Sequence, residues 1–354
     1  ENCRNCSQGE KTMRKTENTL SKQGHDCKKP ETIGQWILRH FLLLVGLGLA
    51  LIFYVLNPNV FSSFGITSIL STASIQGIIA LGLMMELTTG NFDLSIGATA
   101  GFSAAVLGAI MANASPNWYI PAVFVALAAA VLVGLLNAFI TVRIGVPAFV
   151  GTMAIRSLLS GVISFLTNNT ICYSNNWGET SKLLGQGKIR NAIPYCCLIF
   201  LIICVACYIF LEHTKTGRYI YATGANRSAA KNVGIPVVRM QVLSFAIGAL
   251  LAGIGGILHS SRNFQTSVQM GIDLQLPAQI CCLLGATYKT PGKYNVPGCV
   301  VGILLTTIIT NGVYGTIGSS IYIKSLVEGL VFMTAIGIIA TIRQEGLPKV
   351  KFDI

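Results

Sequence analysis

The sequence predicts an all-α fold: a polytopic integral membrane protein of about ten transmembrane helices, with a broken helix near residues 88–95. Three observations carry that expectation. Of 354 residues, 52% are hydrophobic and only 11% charged, where a soluble domain carries about 25%. The apolar residues fall into runs of about 20, the length that crosses a hydrocarbon core of about 30 Å. FLLLVGLGLALIFYVL, AVFVALAAAVLVGLL, YCCLIFLIICVACYIFL and VLSFAIGALLAGIGGIL are the plainest of them. Finally, a single carboxylate, Asp93, sits in TGNFDLSIG between two long apolar segments.

Apolar runs between polar breaks place spans near 37–56, 66–88, 95–113, 119–141 and 147–167, then 192–211, 239–258, 274–288, 295–313 and 320–341. They divide the chain into a polar, basic tail (1–35), a membrane region (36–343) and a short C-terminal tail (344–354). On the third span Gly97, Gly101, Ala105 and Ala109 recur every four residues, a small-residue face that lets helices approach closely in lipid.

The net charge of +12 does not point to nucleic acid, because the basic residues lie in loops and ends. Between Glu212 and Arg239 stand Lys215, Arg218, Arg227, Lys231 and Arg239 against Glu212 alone. Cytoplasmic loops collect such charge. Alternation then places the 212–239 loop and both termini in the cytoplasm and the 167–191 loop outside, although Lys182, Lys188 and Arg190 in that outer loop run against the bias.

Nothing in the sequence builds a catalytic centre or a metal site. Gly292-Lys293 lacks the rest of a phosphate-binding loop. Cys3 and Cys6 have no second pair to complete a zinc site, and Cys196, Cys197, Cys204, Cys207, Cys281 and Cys282 lie in apolar runs, where a thiol packs as a small hydrophobe.

An ionisable residue at membrane depth is costly and is a functional-site hypothesis by default. Glycine and Asn91 allow a helix break, which is tolerated where protein or a water-filled cavity satisfies the backbone. Two roles fit Asp93: capping a helix that starts at Leu94, or lining a solute path. Glu86 fits either a path or a reach toward water at the end of the second span. Thr89 and Asn91, in the break, are further candidates for lining that path, and Asn137 in GLLNAF and Asn311 in ITNGVYG are buried-polar candidates, for joining helices or for touching solute.

Several ordered motifs resemble the permease subunits of bacterial ABC importers of the ribose type. ALGLMMELTTGNFDLSIGA resembles that family's ALGxxxxxxTGGIDLSVG segment, and GLLNAFITVRIGVPAFVGTMA its GLxNGxLVxxLxIPPFIxTLG pattern. TKTGRYIYATGANRSAAKNVGI is similar to the TxxGRxIYAxGGNxxAAxxxGI loop, followed by LLAGIGGIL and SRN. The chain departs from the pattern at GIDLQLPAQ, where many members carry YELDAIAA, and at GATYKTPGKYNVPG, where many carry GGxSxxGGxG.

The resemblance implies a permease that moves a small polyhydroxylated solute, a ribose-type sugar or a relative of one, by alternating access in the bacterial inner membrane. It implies three partners besides membrane lipid: an ABC ATPase subunit, an extracytoplasmic solute-binding protein and a second permease subunit, identical or different. No cofactor is expected on this chain, since ATP is used by the ATPase partner. Residues 217–235 are where the family carries its ATPase-contacting loop, which singles out Gly217, Arg218, Gly224, Ala225, Asn226, Ala229, Ala230 and Gly234. Asn226 is the expected N-cap there and Gly234 with Pro236 the stop. A self-sufficient secondary transporter or channel is the alternative. It would need ion-coupling groups in the spans, where ionisable residues beyond Glu86, Arg156 and Glu328 are few.

Overall fold

A computed structural model describes residues 46–173, 177–190, 193–286, 288, 293–317, 325–334 and 337. The N-terminal tail, much of the first and last expected spans, and the C-terminal tail lie outside these residues.

The elements run in order as α1 (Gly46–Leu56), α2 (Ser63–Thr88), α3 (Ile96–Asn113), α4 (Tyr119–Ala138) and α5 (Ala148–Leu166). After β1 (Cys172–Tyr173) come α6 (Gly178–Gln186), β2 (Lys188–Ile189), β3 (Ile193–Pro194) and α7 (Tyr195–Tyr208). Two short helices follow, α8 (Lys215–Ala225) and α9 (Arg227–Asn232), and then α10 (Val237–Asn263), β4 (Gln265–Thr266), α11 (Gln269–Gly285), α12 (Val296–Ile317) and α13 (Ser325–Thr334).

Among the described residues seven helical segments are long and apolar enough to cross a membrane. The expected ten also drew on α1, α11 and α13; α11 has 17 residues and carries Pro277 in its interior, while α1 and α13 are shorter apolar helices. Helix α2 is apolar nearly all round and is the centre of the bundle, 72% buried along its membrane stretch, against 28% for the peripheral α5. That is the expected behaviour of a helix without a polar face. Around α2 pack α3, α7, α10, α11 and α12. The core joins Ile78, Ile79, Leu83 and Met84 of α2 to Leu251 and Leu258 of α10 and to Ala278 and Cys282 of α11.

The small-residue face of α3 is used inside the chain. Gly97 and Gly101 meet Gly271 of α11 so closely that a Cβ on any of the three would strike the facing backbone. With no hydrophobic drive between helices in lipid, such close approach replaces it.

One end of the bundle is closed by β1, α6 and the β2–β3 pair. β1 pairs antiparallel with β4, and α6, within the expected outer loop, lies against α10, where Gly185 abuts Ser261. Arg262 Nη1 and Nη2 donate to Thr72 Oγ at 3.0 Å and Ser68 Oγ at 3.2 Å. These contacts carry α10 five residues beyond its expected end at 258. The helix break and helices α8 and α9 lie together at the opposite end.

Candidate functional site: the helix break and its latch

Helix α2 stops because its last carbonyls are taken by a glycine turn. Asn91 N–H donates to Glu86 O at 3.1 Å and Gly90 N–H to Leu87 O at 3.0 Å, the double closure of a Schellman motif. Gly90 adopts φ +81°, a backbone region that side chains disfavour.

Helix α3 restarts at Ile96, two residues later than the Leu94 start expected from sequence, and Ser95 makes no side-chain cap. Its leading amides find partners elsewhere. Leu94 N–H donates to Thr152 Oγ of α5 at 2.9 Å, and Gly97 N–H to Gln275 Oε1 of α11 at 2.7 Å. Asp93 Oδ1 accepts from Ser95 N–H. Asn137 Nδ2 of α4 donates to Ser95 Oγ at 2.7 Å and reaches Asp93 Oδ2 at 3.5 Å. The break is thus a junction of α3, α4, α5 and α11, where each partner supplies a donor or acceptor that an interrupted helix lacks.

Thr89, Asn91, Asp93 and Glu86 are buried to within 1% of complete, and Asn137 is 2% exposed. Five of the six residues singled out as pathway candidates therefore gather at one enclosed polar cluster and face no open channel in this conformation. Glu86 lies one turn before the break, beside Asp93. No N–H or hydroxyl among the described residues donates to its carboxyl, and Gly248 of α10 leaves room for it. Asn311 stands apart. It lies in α12, half-buried, and donates to Thr307 O of its own helix at 2.9 Å.

The basic loop forms two helices rather than one. Thr214 caps α8 through Gly217 N–H at 3.0 Å, and Asn226 caps α9 through Ala229 N–H at 3.0 Å. Asn226, at φ −161° and ψ 105°, makes the corner between them. Gly234 at φ +82° stops α9, with Ile235 N–H on Ala230 O at 3.0 Å. Of the residues expected to meet an ATPase, Arg218, Ala225, Asn226, Ala229 and Gly234 are exposed. Gly217, Gly224 and Ala230 face inward, Ala230 at 4% exposed. Gly217 lies on the Phe210 and Leu211 carbonyls and Gly224 on that of Thr88. Ala230 packs against its own chain.

Arg227, which sequence reasoning passed over, latches the loop to the break. Its Nη2 donates to Asn91 Oδ1 at 2.8 Å and reaches Gly90 O at 3.4 Å. The Gln241 carboxamide, turned with its oxygen toward Arg227, accepts from Nη2 at 3.1 Å and Nε at 3.3 Å. Asn91 Nδ2 donates to Thr89 Oγ at 3.0 Å, and Thr89 Oγ lies 3.0 Å from Ser244 Oγ of α10. Gln241, Ser244, Thr152 and Gln275 were also missed. Each is an ordinary polar residue within a helix, and only chain packing brings it to the break.

A second tie holds α8 to the segment before α12. Tyr221 Oη donates to Tyr294 O at 3.1 Å and lies 3.2 Å from Glu212 Oε1, while Lys293 Nζ sits 3.8 Å above the Tyr221 ring. Burial, and then the Glu212 charge, push the Tyr221 phenol above its ordinary value.

Seven long apolar helices around an enclosed polar break, latched to a pair of short helices, define a multi-pass membrane protein. Comparison with known proteins narrows the class: residues 65–336 match the family described as branched-chain amino acid transport system / permease component, and the chain belongs to that family of permeases. The ribose import permease protein of Escherichia coli (strain K12) is 29% identical over 303 residues, 85% of this chain and 93% of that protein. The fructose import permease protein of Bifidobacterium longum is 30% identical, covering 66% of this chain and 70% of its own length. The autoinducer 2 import system permease protein of Photorhabdus luminescens is 27% identical over 73% and 76% of the two chains. No solved structure matches the chain.

Proposed function

We propose that this chain is the transmembrane permease subunit of an ATP-driven ABC importer that carries a small polyhydroxylated solute, a ribose-type sugar or a relative of one, into the cell. The observation that carries this reading is the latch: a basic, extramembrane helix pair, exposed on one side at Arg218, Ala225, Ser228 and Ala229, is fastened on its other side to the helix break through Arg227 and Asn91. An ATPase bound to the exposed side would pull on the break without touching the membrane core. The relatives whose names state import of ribose, fructose and autoinducer 2 support the solute class.

In this reading the latch end is cytoplasmic, and the end closed by α6, β1 and β4 receives an extracytoplasmic binding protein. A second permease subunit completes the path. The chain supplies no hydrolytic chemistry; ATP is consumed by the partner, and alternating access moves the solute inward.

The test is reconstitution of the chain with candidate ATPase and solute-binding-protein partners, followed by uptake of labelled ribose and fructose into proteoliposomes. ATP-dependent uptake that needs the binding protein is expected. Uptake driven by an ion gradient without ATP would overturn the reading.

A further inference from the structure

The five clustered pathway candidates are enclosed in this conformation. One helix offers a polar surface at mid-membrane depth. Arg156 is the ninth of the 19 residues of α5. At 1.5 Å per residue its Cα lies about 12 Å from one helix end and about 15 Å from the other. It is half-exposed, and its guanidinium makes no hydrogen bond or ion pair with any other described residue. Snorkelling to the interface serves charges near helix ends, and Arg156 is at the middle.

Helix α5 packs by a different stripe. Ile155, Leu159 and the residues in line with them bury against Ala98 and Phe102 of α3, Val133 of α4 and Ile140 just beyond the end of α4. Arg156, Ser160 and Ser164 follow one another at four-residue steps on the neighbouring flank, with Ser157 exposed beside them. The hydroxyls of Ser157 and Ser160 turn back onto the Met153 and Arg156 carbonyls, at 3.3 and 3.0 Å. That satisfies their donors and leaves lone pairs facing outward. Beyond the flank, Leu158 and Phe165 are 54% and 81% exposed, the usual surface toward lipid. A cation and a row of hydroxyls at the centre of an otherwise apolar helix are unfavourable against hydrocarbon and natural against water.

We infer that the Arg156–Ser157–Ser160–Ser164 flank of α5 lines the water-filled solute path of the assembled transporter, and that Arg156 is a solute-contacting residue. A guanidinium is all donor, so it suits a solute presenting oxygen acceptors, whether sugar hydroxyls or an anionic group, and disfavours a cationic one. The inference rests on the permease reading above.

Single cysteines at Ser157, Ser160, Leu158 and Phe165, in an otherwise cysteine-free chain assembled with its partner subunits, test it in membranes. A positively charged methanethiosulfonate reagent should modify cysteines at 157 and 160 at least tenfold faster than those at 158 and 165. Arg156→Leu should lower uptake at least tenfold while the partners still co-purify, and Arg156→Lys should retain more than Arg156→Leu. Equal slow modification at all four positions would overturn the inference, as would uptake by Arg156→Leu at the wild-type level. Those results leave the permease reading standing if the wild-type chain assembles and transports; loss of ATP-dependent uptake in the wild type itself would instead remove that reading.

Discussion

Arg227 Nη2 lies 2.8 Å from Asn91 Oδ1, joining residues 136 positions apart and tying an extramembrane helix to a break between two membrane helices. A hydrogen bond to a charged group contributes about 1.5–3 kcal/mol where it is shielded, and Arg227 is only partly buried, so the lower figure applies. Arg227→Ala should leave the protein in the membrane and bound to the proposed ATPase partner, with hydrolysis persisting while uptake falls. Arg227→Lys should recover only part of the uptake, because a single ammonium cannot reproduce the fork to Asn91 and Gln241. In a double-mutant cycle with Asn91→Ala the two losses should be non-additive. Full additivity would show that the contact transmits nothing.

Asp93 accepts the Ser95 amide at the entrance to α3. An asparagine keeps that acceptor, so Asp93→Asn should fold and transport close to wild type. Asp93→Ala should lose about 0.5–2 kcal/mol of stability, read as a lower melting temperature in detergent. If both variants abolish uptake at normal abundance, the charge itself is required.

The two sides of the helix pair should respond in opposite ways. Ala229 is exposed, so Ala229→Glu should shift stability by less than about 0.5 kcal/mol yet weaken ATPase association. Gly224 sits on the Thr88 carbonyl, so Gly224→Val should overpack that contact and cost about 1–3 kcal/mol, visible as loss of folded protein. Normal association by Ala229→Glu would remove the loop from the ATPase contact.

Orientation can be read with an impermeant maleimide in intact cells, using single cysteines at Lys182 and Ser228. Ser181 is fully buried, whereas the Lys182 side chain is 57% exposed and Ser228 is exposed. Labelling at 182 but not at 228 is expected, and equal labelling of both would refute the proposed topology.

The Tyr221 phenol titrates above its ordinary value because of burial and the nearby Glu212. A raised value in the fold means that its contribution is complete below the unfolded phenol value, about 10, and is lost as pH rises beyond it. Protease resistance of the 212–239 loop should therefore be flat through neutral pH and fall only in strong alkali. Tyr221→Phe should remove the hydrogen bond to the Tyr294 carbonyl, worth about 1 kcal/mol, together with the alkaline response.

Much of the architecture was legible because the signals are local. Runs of about 20 apolar residues specify spans whatever their neighbours are, and Gly90, Asn226 and Gly234 act on the turns they occupy, through a left-handed φ or a side-chain cap. The resemblance to importer permeases rests on the same kind of short, ordered residues. What the sequence could not supply was depth and partnership. That Asn91 receives Arg227, that Gln275 answers the Gly97 amide, and that Gly97 and Gly101 close on Gly271 rather than on a second subunit depend on which helices pack together. Helix α6 escaped notice because its nine residues are polar enough to read as loop and gain their place by packing on α10. Periodicity assigns each residue to a face of its own helix, but only the packed bundle decides what that face meets. For that reason the carboxylates that looked like a pathway are enclosed, while Arg156 is half-exposed midway along α5.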